Sequence, residues 1–154
     1  MGQVIRLPST HCAMPQTINT PVDDFDDFME QRAAAADAYV SGDAAPLTRL
    51  LAVDSPATFF APRGGAVQGA VEVSARYVAD ALGFHSHGTS RLEVLQVGAS
   101  GDIAYWVGLQ HANVQYGNMT QPAAMELRVT EIFRREKGEW RLVHRHADPH
   151  ANAE

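Results

Sequence analysis

The 154-residue sequence predicts a single α+β domain in which N-terminal helices pack inside a strongly curved antiparallel sheet. The first half of the chain carries apolar residues at steps of three and four, as amphipathic helices do. The part after Gly83 instead alternates apolar and polar residues, as strands do. Strands of about a dozen residues must twist and bend, because the usual strand has ~5–6. A bent sheet wrapped around helices forms a cone with one open mouth.

The first helix begins where capping chemistry and apolar periodicity coincide. In Thr20-Pro21-Val22-Asp23, threonine and aspartate form a capping box and proline suits the first helical turn. Gly42 ends the helix. Its apolar face is assigned to Val22, Phe25, Met29, Ala33, Ala36 and Val40.

Two further helices and one short strand complete the first half of the chain. A short helix has three leucines as its buried face, Leu47, Leu50 and Leu51. A strand is predicted at Ala57-Thr58-Phe59-Phe60, and Pro62-Arg63-Gly64-Gly65 ends it. A third helix over about 69–82 has two neighbouring apolar stripes, Val71, Ala75, Val78 and Leu82 on one and Tyr77 and Ala81 on the other.

Four long strands follow as an antiparallel meander. They are predicted at Ser90 to Val97, Asp102 to Gln115, Ala123 to Arg135 and Glu139 to Ala147. Turn residues separate them at Ala99-Ser100-Gly101, Gly117-Asn118 and Lys137-Gly138. The domain is therefore assigned to residues 20–148, after a flexible arm over 1–19 and before a tail over 149–154.

Composition excludes several classes of function. The net charge is −6 at pH 7 and no basic run is long enough to follow phosphates, so no nucleic-acid partner is expected. No apolar run approaches the ~20 residues of a membrane span, so no membrane partner is expected either. The single cysteine, Cys12, cannot form an internal disulfide, which fits a reducing compartment. We expect a cytoplasmic protein.

The hairpin over 125–146 is the best place to look for a site. Its strands carry a carboxylate, an arginine and two histidines among apolar residues, and these polar groups cannot all face solvent. Alternation places four residues of the last strand on one face, Trp140, Leu142, His144 and His146. Some of the polar side chains should therefore line a partly dry cavity.

The turn of this hairpin decides which residues meet. A two-residue turn at Lys137-Gly138 pairs His144 with Glu131. A three-residue loop over 136–138 pairs His144 with Thr130 and brings Arg128 beside His146. The glycine at the last loop position favours the three-residue loop, as in bulged hairpins.

In the favoured register Arg128 is the candidate anion holder, because a guanidinium binds a carboxylate or enolate oxygen through forked hydrogen bonds. His144 or His146 is the candidate proton carrier, and Glu126 and Thr130 share their face. The alternative is that Glu126 and Arg128 form a structural ion pair and the histidines lie at a dimer interface.

Aromatic side chains supply the expected pocket wall, with Tyr39, Phe60, Tyr77 and Trp106 as candidate ligand-binding residues. Trp106 and His111 are five positions apart, an odd spacing, and should therefore occupy opposite faces of their strand. No metal or cofactor is expected. His144 and His146, two apart on a strand, find no third ligand except His111 on another strand.

The order of elements resembles the nuclear transport factor 2-like superfamily, and its SnoaL-like branch in particular. The residues that carry the resemblance are Val40 to Asp43, Gly64 to Ala70, Gly101 to Trp106, Arg128 to Arg135 and Gly138 to His146. It spans about residues 21–148 and implies a cone-shaped, cystatin-like roll. Members include ketosteroid isomerase, polyketide cyclases and the association domain of calcium/calmodulin-dependent protein kinase II.

The catalytic residues of ketosteroid isomerase do not carry over to this chain. Its first-helix tyrosine falls at Ala35 and its aspartate base falls near Ala61, and neither alanine exchanges a proton. The resemblance implies a domain that binds a small, partly apolar molecule with a carbonyl or carboxylate, or an acid–base isomerase, dehydratase or cyclase of different mechanism. The alternative is a non-catalytic ligand-binding or oligomerisation module. A homodimer through the outer sheet face is expected.

Overall fold

The computed structural model describes residues 21–151. This part of the chain contains the helices α1 (Pro21–Tyr39), α2 (Ala45–Thr48) and α3 (Ala70–Ala81). Its strands are β1 (Thr58–Phe60), β2 (Ala66–Gln68), β3 (Thr89–Ser100), β4 (Ile103–Val114), β5 (Ala123–Glu136) and β6 (Glu139–Pro149). The arm over 1–19, the cap Thr20 and Cys12 lie outside the described residues.

The strands form one sheet in the order β2-β1-β6-β5-β4-β3. β1 runs parallel to β6, and the other neighbouring strands are antiparallel. The sheet is curled without closing, and the helices pack against its inner face. The α+β class with a curved antiparallel meander is confirmed. The sequence does not predict β2, an edge strand of 3 residues that pairs with β1.

A β-bulge bends β3. Leu95 is an extra residue between the pairs that β3 forms with Val107 and Gly108 of β4. Gly108 permits the close approach of the two strands, because a Cβ there would lie 2.0 Å from the carbonyl oxygen of Glu93. Bulges increase the local twist, so this one contributes to the curl of the sheet.

A second bulge lies on β6 at Val143. Phe133 of β5 pairs with Leu142, and the residue before it in β5, Ile132, pairs with His144. Val143 therefore has no partner on β5. The extra residue shifts the alternation of β6 by one position. Trp140 and Leu142 therefore face inward before the bulge, whereas the two histidines face outward after it.

The turn between β5 and β6 contains two residues, Lys137 and Gly138, with φ values of 50° and 81°. Glu136 and Glu139 pair directly across it. Two positive φ angles suit a two-residue turn whose twist matches that of the strands. The prediction of a three-residue loop, and of the register that depends on it, is wrong.

Aromatic rings form the core between α1 and the hairpin of β5 and β6. The ring of Phe25 on α1 lies 5.4 Å from those of Phe133 and Trp140, and the ring of Phe28 lies 5.1 Å from that of Phe133. These edge and tilted contacts bind α1 to the hairpin of β5 and β6.

α3 uses one of its two apolar stripes. Tyr77 and Ala81 are buried against the sheet, whereas Val71, Val78 and Leu82 are 76%, 45% and 83% exposed. The first stripe therefore lies on the surface of the domain. No helix among residues 21–151 is long and apolar enough to cross a membrane.

Candidate functional site in the interior of the cone

A fully buried carboxylate, that of Glu131, lies at the centre of a hydrogen-bonded network. Its Oε1 accepts hydrogen bonds from Trp106 Nε1 at 2.6 Å and from Arg32 Nε at 3.0 Å. Its Oε2 accepts from Arg32 Nη2 at 2.8 Å and from Arg145 Nη1 at 3.1 Å. Arg145 Nη2 donates to Gln110 Oε1 at 2.6 Å. The network joins α1 to the inner faces of β4, β5 and β6.

Strand alternation and the β6 bulge bring these side chains to the interior. On β5, Glu131 lies between Val129 and Phe133, which are buried at steps of two. On β6, Arg145 faces inward after the bulge at Val143 and pairs directly with Glu131. Without the extra residue Arg145 would face outward, and Glu131 would lose one of its two cationic partners.

Arg32 reaches the network because it occupies the buried face of α1. Phe28, Arg32 and Ala35 are buried at steps of four and three, whereas Met29 and Ala33 are only half-buried. The face assigned from apolar residues alone is therefore rotated relative to the observed one. A charged side chain interrupts the apolar pattern at the position that faces the sheet.

The charges of this network remain in place. Burial by itself raises the pKa of Glu131, but attraction to Arg32 and Arg145 and hydrogen bonds from Arg32 and Trp106 outweigh it. The pKa of Glu131 consequently lies below its ordinary value. Burial lowers the pKa of Arg32, but the charge of Glu131 and the hydrogen bonds to it raise that pKa by more. The guanidinium therefore stays protonated. The interior holds a stable carboxylate between two cations.

A small cavity, here called the chamber, lies beside the network. Its volume is about 80 Å³. Apolar residues of α1, α2, β1 and β5 line part of it. The polar residues of its wall are Arg32, Tyr39, Tyr77, Asp80, Gln110 and Arg145.

Two donors in the chamber wall have no acceptor within the described part of the chain. They are Nη1 of Arg32 and the hydroxyl of Tyr77, whose residues are 2% and 3% exposed. A buried polar group without a partner costs about 1–3 kcal/mol. Burial also raises the pKa of Tyr77, so its hydroxyl keeps its proton and remains a donor. Both residues line the chamber, so two donors without an acceptor belong to its wall.

A wider cavity of about 380 Å³, here called the mouth, adjoins the chamber and shares Pro62, Asp80 and Met125 with its wall. A series of edge-on rings connects the two spaces. The centroids are 5.8 Å apart between Tyr77 and Tyr39, 5.3 Å between Tyr39 and Phe84, and 4.9 Å between Phe84 and Tyr116. The first two rings line the chamber and the last two line the mouth.

The nine residues proposed from the sequence fall into two groups, one in the interior of the domain and one on the outer face of the sheet. Tyr39 and Tyr77 line the chamber, and Trp106 binds Glu131 from the inner face. The outer face carries the remaining six, Phe60, Glu126, Arg128, Thr130, His144 and His146. The prediction that His144 and His146 share a face with Trp140 and Leu142 is wrong, because the bulge at Val143 separates the two pairs. A catalytic role for Arg128 and the histidines stays a prediction.

On the outer face, these candidate residues bind one another or their neighbours. Arg128 Nη2 donates to Asp148 at 2.6 Å, so the alternative pairing of Arg128 with Glu126 is wrong. His144 Nδ1 lies 2.6 Å from Thr58 Oγ1, and the rings of His144 and His146 lie 4.9 Å and 5.6 Å from the ring of Phe60. Burial and the charge of His146 lower the pKa of His144.

A second titratable cluster crosses three strands of the outer face. His111 Nε2 lies 2.7 Å from Glu93 Oε2, and His111 Nδ1 lies 2.9 Å from Glu126 Oε1. These hydrogen bonds raise the pKa of His111. As its spacing predicts, His111 lies on the face opposite Trp106.

Replacing His111 by glutamine should lower the melting temperature in a pH-dependent way. Because the pKa of His111 is raised in the folded state, its contribution is complete below the unfolded value of ~6.5 and is lost as pH rises through the folded value. The difference in melting temperature between the wild type and H111Q should be largest near pH 6 and smaller near pH 9. Calorimetry checks this, and a difference independent of pH would refute the role of the imidazolium.

The fold and the interior site define a class of small α+β domains, in which helices pack against a curled, unclosed sheet and a cavity lies between them. Residues 30–150 match the family described as the SnoaL-like domain, and the chain belongs to this family. A search among curated proteins gives no match.

Solved structures share this fold. A nuclear transport factor 2-like superfamily protein from Salmonella enterica subsp. enterica serovar Typhimurium str. LT2 has a TM-score of 0.72 at 17% identity, over 88% of this chain and 96% of that chain. A candidate dehydratase of that family from Streptomyces avermitilis has a TM-score of 0.66 at 20% identity, over 86% and 99%. The CaMKII hub of S. rosetta has a TM-score of 0.59 at 19% identity, over 81% and 95%. These likenesses show the fold.

Sequence reasoning missed Arg32, Arg145 and Gln110 as members of a site, and considered Glu131 only as the partner of His144 in the register that was not favoured. The signal that could have revealed them is a charged residue on the otherwise apolar face of a helix or strand. Glu131 stands between Val129 and Phe133 in this way. Two such residues of opposite sign on different elements, here Arg32 and Glu131, indicate a buried ion pair.

Proposed function

We propose that the protein binds a small, partly apolar molecule inside the cone, with an acceptor oxygen in the chamber and an apolar body in the mouth. The observation that carries this proposal is the pair of buried donors, Arg32 Nη1 and the Tyr77 hydroxyl, that lack an acceptor in residues 21–151. Both belong to the chamber wall. A ligand oxygen would satisfy them and offset the cost of their burial.

The mouth suits the apolar part of such a ligand. Phe84, Tyr116, Met119 and Met125 line it, and methionine adapts to irregular shapes. The guanidinium of Arg63 lies 4.9 Å from the centre of the Tyr116 ring at the same opening. Apolar walls with a few polar groups at the inner end are typical of small-molecule sites.

Binding is better supported than acid–base catalysis. Glu131 is held ionised by its three donors, and the two histidines proposed as proton carriers lie on the other side of the sheet. Among the described residues that line the chamber, Asp80 is the one carboxylate, and Arg76 Nε donates to both of its oxygens at 2.9 Å. An isomerase, dehydratase or cyclase reaction needs a proton carrier beside the ligand.

Replacing Tyr77 by phenylalanine tests the binding proposal. The free energy of unfolding should stay unchanged or rise by about 1 kcal/mol, because the substitution removes a buried hydroxyl without an acceptor. Binding of a carbonyl or carboxylate compound should weaken in the same variant. Urea denaturation and titration calorimetry measure the two effects.

The control for this variant is Tyr105→Phe, because Tyr105 is 41% exposed on the outer face. It should change neither stability nor binding. A loss of stability in Tyr77→Phe would mean that the hydroxyl already has an acceptor within the folded chain, and would remove the main support for the proposal.

A second proposal, assembly of two copies through the outer face of the sheet, rests on exposed apolar side chains. Five of them lie on β1, β3, β4 and β5 with exposures of 36–61%, namely Phe60, Leu95, Ile103, Tyr105 and Ile132. Exposed apolar side chains on one face of a sheet are a common mark of an interaction site. Charged residues of both signs, such as Arg128 and Asp148, lie on the same face and suit a self-complementary contact. Ligand binding and assembly would then use opposite faces of one sheet.

A further inference from the structure

We propose that the chamber selects a ligand with a single negative charge, a monocarboxylate, over neutral carbonyl compounds and over doubly charged anions. This inference rests on the proposed binding function and specifies the chemical class of the ligand. It is carried by the balance of charges around the chamber, and that observation is separate from the missing acceptors.

The chamber wall carries one positive charge more than the interior carboxylate neutralises. Arg32 and Arg145 are 2% and 7% exposed, and both donate to the single carboxylate of Glu131. The other charged residue in the chamber wall, Asp80, is neutralised by Arg76 through two hydrogen bonds of 2.9 Å. One buried guanidinium charge therefore remains without a counterion among the described residues. Charge burial of this kind is costly unless an anion accompanies it.

The free donors favour a carboxylate over a ketone or an amide. Arg32 uses Nε and Nη2 for Glu131 and leaves Nη1 available, and Tyr77 leaves its hydroxyl available. A carboxylate offers two equivalent oxygens for these two donors, whereas a carbonyl offers one. Hydrogen bonds to an ionised acceptor are also roughly twice as strong as those between neutral groups.

The same balance disfavours a second negative charge. A phosphate monoester carries close to two charges near pH 7, and only one of them finds a compensating cation in the chamber. The charge balance therefore points to an anion of one charge.

Matched probes test this inference on the full-length protein. Titration calorimetry near pH 7 compares benzoate with benzamide, and acetate with acetamide, because each pair has nearly the same shape and differs by one charge. Phenyl phosphate serves as the doubly charged probe. At least one carboxylate should bind about tenfold or more tightly than its amide, and phenyl phosphate should bind more weakly than benzoate.

Two variants locate the effect in the chamber. Tyr77→Phe should weaken carboxylate binding several-fold and reduce the preference over the amide, while its melting temperature shows that it folds. Arg128→Met removes an arginine from the outer face and should leave binding unchanged, because Arg128 is 63% exposed and pairs with Asp148. Loss of carboxylate binding in Arg128→Met would place the anion on the outer face and overturn the inference.

The remaining outcomes separate this inference from the proposed function. Equal affinity for a carboxylate and its amide, both weakened by Tyr77→Phe, would overturn the charge selectivity and leave interior binding intact. Phenyl phosphate as the tightest probe would overturn the single-charge requirement. Absence of binding by every probe to the folded protein would overturn both proposals.

Discussion

Replacing Glu131 by glutamine is expected to lower the free energy of unfolding by about 3–5 kcal/mol. Glutamine keeps the size of the side chain but removes the charge that Arg32 and Arg145 share at 2.8 Å and 3.1 Å. Two buried guanidinium groups would then repel each other without a counterion. Urea denaturation followed by circular dichroism measures the change.

The matched control is Glu30→Gln, because Glu30 is exposed on α1, close in sequence to Arg32. This exposed substitution should change stability by no more than about 0.5 kcal/mol. If E131Q behaved like E30Q, the network would add nothing to stability and the interior charges would have to be screened by water.

The same pair of proteins should differ in their response to acid. The pKa of Glu131 is lowered by folding, so its contribution is complete above the unfolded value of ~4.3 and is lost as pH falls through the lower folded value. The wild type should therefore lose this part of its stability below about pH 4.3, whereas E131Q lacks it at every pH. The stability difference between the two proteins should narrow as the solution is acidified.

If two copies assemble through the outer face as proposed, replacing Leu95 by glutamate is expected to convert the dimer into monomers. Leu95 is 61% exposed at the bulge of β3, and it lines an outer-face groove of about 330 Å³ with Val107 and Leu109. In a two-fold symmetric contact the substitution occurs twice, so the dissociation constant should rise at least about a hundredfold, or about 2.7 kcal/mol. Sedimentation velocity over a range of concentrations measures this.

Leu82→Glu is the control, because Leu82 is 83% exposed on α3 and lies on the helix instead of the sheet. It should leave the dissociation constant unchanged. If Leu82→Glu were the variant that dissociates the protein, the exposed stripe of α3 would be the interface. A wild-type monomer at all concentrations would contradict assembly altogether.

Much of the fold is predictable from the sequence because its long strands alternate clearly. The predicted ranges for β4 and β5, Asp102 to Gln115 and Ala123 to Arg135, differ from the observed ends by one residue at most. β2 escapes prediction because it has only 3 residues and a mixed pattern of exposure. An edge strand that short is defined by its neighbour β1 and not by its own residues.

The interior site is less predictable, because one unpaired residue reverses the faces of β6. The bulge at Val143 lies where β6, on the edge that faces away from β5, changes from one neighbouring segment to another. Before the bulge, Leu142 exchanges backbone hydrogen bonds with Leu50 and Ala52, and after it His144 pairs with Thr58 of β1. Contacts between segments distant in the chain determine the position of the bulge. The alternation of apolar and polar residues along one strand carries no information about such contacts.

The bulge also gives β6 a parity rule. Even-numbered residues, such as Trp140 and Leu142, face the interior before Val143, and odd-numbered residues, such as Arg145 and Ala147, face it afterwards. Adjacent residues of β6 therefore lie in different environments, one in the buried interior beside the charged network and the other on the outer face of the sheet. Substitutions in one set would change the interior network, and substitutions in the other would change the outer surface, although both sets belong to the same strand.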